Sequence, residues 1–206
     1  IRSVREDPCE NLGEAVWREF WEAPVGTPIA GNAASVRAIR IEEITAHLRR
    51  HFVNANAVLA VVGDVDPARL RRVVRARVDP GRRGARRRAA APRPGEGRVL
   101  RRRASRGGQS HVQFLREIDP RPRPFLAVEI ALDLVGADPD SRLFQAIRED
   151  HGLGYDVSAE AEWGRGFGAA MIAASAGPGE AGRLAQVIEE VLHRSVQEGF
   201  SEADLE

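Results

Sequence analysis

Arg148 and Tyr155, seven positions apart, are the residues of this 206-residue sequence best placed to do chemistry. They close the segment Arg148-Glu149-Asp150-His151-Gly152-Leu153-Gly154-Tyr155, which runs from an arginine at a helix end, across a glycine turn, to a tyrosine that starts a strand. A guanidinium donates through a planar fork and a phenol through its O–H, so the two on one side of a sheet edge can both hold a peptide carbonyl. On the residues alone, a structural turn explains the same pattern equally well.

His47-Leu48-Arg49-Arg50-His51 places two imidazoles four residues apart on one helix, a spacing that suits zinc. No glutamate stands between them to act as a general base, and His51 borders the apolar face set by Ile44 and Leu48. An interfacial histidine beside a solvated one is the simpler reading. The arginines form a third cluster. All 31 basic residues are arginine, and 16 of them lie between Arg69 and Arg106 against two acids, Asp79 and Glu96. That stretch carries +14 and the remainder −13. Such a run is an electrostatic footprint for nucleic acid, but it lacks interleaved aromatics for base stacking and is rich in Pro and Gly. A solvated tether is favoured, and a nucleic-acid partner disfavoured. The absence of lysine points to the codon bias of a GC-rich, bacterial genome. Neither a phosphate-binding Walker loop nor a G-x-S-x-G nucleophile elbow occurs, and Cys9 and the five histidines offer no local nucleophile signature.

These residues depend on elements that the hydrophobic pattern predicts. Leu12, Val16 and Phe20 recur at four-residue spacing in a helix over Glu10–Trp21, ended by Pro24, Gly26 and Pro28, and Ile41, Ile44, Leu48 and Phe52 mark a second helix. The continuous apolar run Val58–Val62, closed by Gly63-Asp64, reads as a buried strand. Asp66-Pro67 starts a helix with Leu70, Val73, Val74 and Val78 on one face. Further on, His111–Leu115 reads as a strand, Phe125–Val135 as a helix and Ser141–Glu149 as a short helix. Gly152-Leu153-Gly154 reads as a turn, and Tyr155–Trp163 alternates as a half-buried strand does. Gly164-Arg165-Gly166 folds that strand back onto Phe167–Ala176, and Leu184, Val187, Ile188, Val191 and Leu192 complete a final amphipathic helix.

Length allows one large domain or parts of two. With 43% hydrophobic and 30% charged residues and no apolar run of about 18, both a membrane-spanning helix and a wholly disordered chain are disfavoured. The single cysteine rules out an internal disulfide framework and a multi-thiolate metal site. Ile1 opens a polar segment, and Ser201 with Asp204 forms a helix-start signature just before the end, so both ends are expected to be cuts, and the cellular compartment stays open.

Ser141-Arg142-Leu143-Phe144, then Arg148-Glu149, then Gly152-Leu153-Gly154-Tyr155 resembles the "SRLF…RE…GLaY" stretch of the insulinase/pitrilysin family of zinc metallopeptidases, which includes the mitochondrial processing peptidases. Pro24-Val25-Gly26-Thr27-Pro28-Ile29-Ala30-Gly31, Glu42-Glu43-Ile44, and Asn56 followed by Val58 to Asp66 are similar to the same family in the same order, and Ser201 to Leu205 resembles its "te.EL" ending. Gly136-Ala137-Asp138-Pro139-Asp140 departs from it, where the family has a glycine-rich loop.

The resemblance implies an α+β fold: two-layer units of mainly antiparallel sheet covered by helices, paired as the halves of a clamshell. It implies residues 1–78 as the C-terminal part of a first unit, 79–108 as an Arg/Pro/Gly-rich linker, and 109–206 as the N-terminal part of a second unit carrying the Arg–Tyr element. Active members bind zinc through H-x-x-E-H and a distal glutamate, with the motif glutamate activating water. H-x-x-E-H is absent from these 206 residues, and the distal glutamate would fall just before Ile1, so Glu6 does not match it. The expectation is therefore no catalytic or metal-binding residue and no cofactor in this portion, with zinc in the complete enzyme. Arg148 and Tyr155 match the pair that holds peptide opposite the zinc. The implied partners are a peptide substrate and the zinc-bearing half or subunit. The alternative within the family is a non-catalytic subunit of a peptidase pair. Apolar helix faces lacking their sheet further predict self-association or a repositioned first segment.

Overall fold

Asp7 accepts hydrogen bonds from the amides of Cys9 and Glu10, and Pro8 follows it, which fixes the start of α1, Pro8–Phe20. In this computed structural model, residues 7–77, 84–85, 92–94, 108–120, 125–154 and 156–205 are described. The chain divides into two compact units, one of Ile1–Gly31 with Ala91–Glu206 and the other of Asn32–Ala90.

In the larger unit, β1 (Ser110–Ile118), β2 (Val157–Gly164) and β3 (Phe167–Ala176) form an antiparallel sheet in the order β1-β3-β2. β2 and β3 are the expected hairpin, although β2 begins two residues later and ends one residue later than the expected Tyr155–Trp163, with Gly164 opposite Phe167 across the two-residue loop Arg165-Gly166. β1 runs three residues beyond the expected strand, to Ile118, because β3 offers it a partner as far as Gly168. The register aligns Phe114, Ile172 and Ala159 across the three strands, and likewise Val112, Ala174 and Val157. This row faces the core. Alternation sends Gln113, Ala173 and Ser158 to the opposite face.

Helices α5 (Phe125–Gly136), α6 (Arg142–Phe144), its wider π continuation Gln145–Asp150, and α7 (Ala181–Glu198) pack on the core side. Leu143, Ile147, Leu184 and Ile188 are its fully buried centre. Arg142 joins α6 to the end of α7: its Nη2 donates to the Gly199 carbonyl at 2.8 Å, and its guanidinium lies 4.4 Å from the Phe200 ring centre. Beyond α7, Asp204 accepts from the Ser201 amide and hydroxyl. Those two bonds, helped by Arg142, hold its carboxyl below the usual carboxylate range.

α1 packs against β1, with Gly13 beside Gln113. Its aromatic end is pinned by Trp17, whose Nε1 donates to the Val25 carbonyl at 2.8 Å, and by Trp21, whose ring centre lies 5.3 Å from that of Phe167. Antiparallel sheet covered by helices on its core face is the α+β architecture that the resemblance implied.

The smaller unit holds α2 (Ala33–Ala38), α3 (Ile41–His51), a 3₁₀ turn at Asn54–Asn56, and α4 (Pro67–Arg77). Each helix starts on a local signal. Asn32 and Ser35 form a reciprocal capping box, Glu43 accepts from the Arg40 amide, and Asp66 accepts from the Ala68 amide. The strand expected over Val58–Val62 is not formed. Those residues belong to no helix or strand and have no strand partner among the described residues, with Val58 90% and Val62 99% exposed. A buried strand needs neighbours on both edges, and among the described residues of this unit there is no other strand.

Candidate functional site

The segment carrying Arg148 is fixed from both ends. Leu143 and Ile147 anchor its helical part in the core, and Ser141, buried, donates its amide to the Asp138 carbonyl. The helix then widens: the His151 amide reaches back five residues to the Ala146 carbonyl at 3.1 Å, as π turns do. Gly152, at φ +58°, ends it in the left-handed region that a side chain disfavours. The Leu153 amide donates to the Ile147 carbonyl at 2.8 Å, and its own carbonyl accepts from the Gly177 amide. Leu153 is buried. At Gly154 a Cβ would fall 2.1 Å from the Ser175 carbonyl oxygen, so the chain passes β3 at a distance only glycine permits. The Asp156 carbonyl then accepts from the Ser175 amide at 2.9 Å, and β2 begins.

Arg148 leaves this frame toward solvent, its side chain 54% exposed. Its Nε lies 3.3 Å from Glu149 Oε1, and its guanidinium carbon 5.2 Å from the Phe144 ring centre. The sequence places Phe144 inward with Leu143 and Ile147; its contact with Arg148 is not foreseen there, although four-residue spacing on a helix is the signal that pairs the two. Tyr155, the second expected donor, lies outside the described residues; its neighbours Gly154 and Asp156 are the two residues held against Ser175.

The remaining candidates are not brought to this place. His47 and His51 stack with ring centres 4.4 Å apart on α3. Among the described residues, no group of three or more His, Cys, Asp or Glu side chains is arranged to hold a metal ion. Two imidazoles do not make the three- or four-donor set that zinc takes, so zinc does not fit this pair among the described residues. The Cys9 thiol is pushed above its usual range by partial burial, then by Asp7, Asp156 and Glu10. It stays protonated at neutral pH and is a poor nucleophile. Of the arginine run, Arg69, Arg71, Arg72, Arg75 and Arg77 are exposed on α4, while most of Arg82 to Arg106 lies outside the described residues. No helix among the described residues is long and apolar enough to cross a membrane.

A family model described as the peptidase M16 inactive domain matches residues 38–206. A protein of Mycobacterium leprae named an uncharacterized zinc protease is 30% identical over 205 residues, covering 97% of this chain and 46% of that protein. One of the same description from Streptomyces coelicolor is 32% identical over 151 residues, covering 67% of this chain and 32% of its own length. The chain thus spans about half the length, or less, of these curated relatives. Among solved structures, the peptidase M16 inactive domain from Pseudomonas fluorescens aligns with a TM-score of 0.78 at 17% identity, over 99% of this chain and 50% of that one. A protease from Helicobacter pylori aligns with a TM-score of 0.80 at 14% identity, over 99% and 52%. At such identities these two show a shared fold.

Proposed function

The chain belongs to the peptidase M16 family, and from that premise we propose that it is the substrate-holding portion, without zinc, of a two-halved enzyme that hydrolyses peptides. Arg148 and Tyr155 are the donors in this reading. The observation that carries it is the frame beside Arg148: the arginine is exposed, and the backbone at Leu153, Gly154 and Asp156 is held by the π turn and β3. A site that must meet an extended peptide needs donors whose supporting backbone does not move, since affinity for a main chain comes from hydrogen bonds in register. Arginine is charged at every working pH, and its bond to a carbonyl is charge-assisted.

Zinc, which the relatives' names imply for them, belongs in this reading to the other half of the complete protein. Residues 1–78 are then the end of a first α+β unit, 79–108 a tether, and 109–206 most of the next unit. The exposed apolar face of α3 and Val58–Val62, which has no strand beside it among the described residues of its unit, support that division, and the packing of α1 on β1 supports a repositioned first segment. The exposed apolar residues likewise support self-association of this chain when the other half is missing.

The test is peptide hydrolysis by the complete protein, followed with an internally quenched oligopeptide. Arg148→Ala removes a charged hydrogen bond worth about 1.5–3 kcal/mol, which corresponds to a roughly ten- to hundredfold fall in kcat/KM. Tyr155→Phe keeps the ring, removes one donor and is expected to cost less. Unchanged rates in both variants would sink the assignment.

A further inference from the structure

Phe144 lies four residues before Arg148, at the end of α6, and its backbone stands between the fully buried Leu143 and Ile147. Its ring centre lies 5.2 Å from the guanidinium carbon of Arg148, inside the roughly 6 Å reach of a cation–π contact. Glu149 Oε1 lies 3.3 Å from the Nε edge of the same guanidinium. Among the described residues one face and one edge are therefore occupied, and the two Nη groups are the edge on offer. Resting on the reading of Arg148 as a substrate donor, we propose that Phe144 is a positioning residue, whose ring holds the guanidinium so that its Nη edge meets a peptide carbonyl without first being ordered.

The physical reason is the conformational freedom of an exposed arginine. A long, rotamer-rich side chain loses freedom when it binds, and a contact already made in the free protein removes part of that loss. The exposed ion pair with Glu149 adds little energy by itself. It occupies an edge, and the ring supplies the hold. Leucine at position 144 would fill similar volume without a quadrupole to attract the cation, whereas tyrosine would keep it.

The experiment uses the complete protein, an internally quenched oligopeptide as probe, and four variants: Phe144→Leu, Phe144→Tyr, Arg148→Ala, and Phe144→Leu combined with Arg148→Ala. Phe144→Leu is expected to lower kcat/KM about two- to fivefold, chiefly through KM, Phe144→Tyr to restore it, and the double variant to match Arg148→Ala alone. In parallel, the Nε–H resonance of Arg148 is expected to move in Phe144→Leu and stay near its original place in Phe144→Tyr, while the amides of Leu143 and Ile147 report an intact fold. If Arg148→Ala lowers activity and Phe144→Leu does not, the positioning role is overturned and the donor reading stands. Losses that multiply in the double variant also overturn it, because Phe144 then acts on substrate by itself. If Arg148→Ala changes nothing, the donor reading falls and the positioning role falls with it.

Discussion

α3 and α7 carry the same kind of apolar stripe and meet opposite fates. In α7, Leu184, Val187, Ile188 and Val191 are buried beneath the three-stranded sheet, whereas in α3 Ile41, Ile44 and Leu48 are 44–67% exposed. Both sequences repeat apolar residues at helical spacing, and both form helices. The difference teaches that periodicity selects the element, while burial requires a neighbour that the element cannot specify. Val58–Val62 makes the same point more sharply than β3. Ala169, Ile172, Ala174 and Ala176 of β3 are buried between two paired strands, but the equally apolar Val58–Val62 has no strand beside it among the described residues of its unit.

The comparison breaks most readily at its buried end. Leu184→Ala removes a fully buried side chain from the centre of the core and is expected to cost about 2–5 kcal/mol, read as a lowered urea midpoint. Leu48→Ala, on the exposed stripe, is expected to stay within about 0.5 kcal/mol in this chain. Equal effects would mean that the two stripes are not in different environments. The next largest effect belongs to the glycine beside β3. Gly154→Ala puts a Cβ against the Ser175 carbonyl, and the forced backbone shift is expected to cost about 1–3 kcal/mol and, under the proposed function, to lower peptide hydrolysis by the complete protein. A variant with full stability and activity would show that this close approach is dispensable.

Ile44→Glu with Leu48→Glu places charge on the uncovered α3 stripe and is expected to shift this chain toward monomer in light scattering, with little change in helix content by circular dichroism. Charge at Ile188 is expected to unfold the protein instead. The smallest effect concerns Cys9. Its raised pKa means less thiolate at pH 8 than a free cysteine has, so alkylation is expected to be slow and its rate to climb at higher pH than usual. Asp156→Asn removes one of the carboxylates that raise it, so the profile is expected to move back toward lower pH. A profile that ignores this change would remove the placement of Cys9 near the start of β2.

At the candidate site, the sequence made the glycine turn and most of the half-buried strand legible, because turn chemistry and alternation are local. The expected helix over Ser141–Glu149 is present, but its second half is π rather than α. That widening follows from no residue preference. It accompanies two constraints met at once: Ile147 anchored in the core, and the Leu153 amide reaching the Ile147 carbonyl. Phe144 reads in the sequence as one more inward apolar residue; only the side-chain geometry sets its ring beneath Arg148.

By itself, the sequence determined which segments are helix, strand or turn over most of the chain, where the helices start, and the family whose motifs span it. Capping, hydrophobic period and hairpin chemistry act between residues a few positions apart, so they are written in local order. Only the tertiary structure decided which of two similar apolar stripes is buried, that β1 continues to Ile118, and that Gly154 has no room for a side chain. Those outcomes depend on distant partners, Phe114 with Ile172 or Gly154 with Ser175, and a partner's proximity is a property of the packed chain that no local pattern contains.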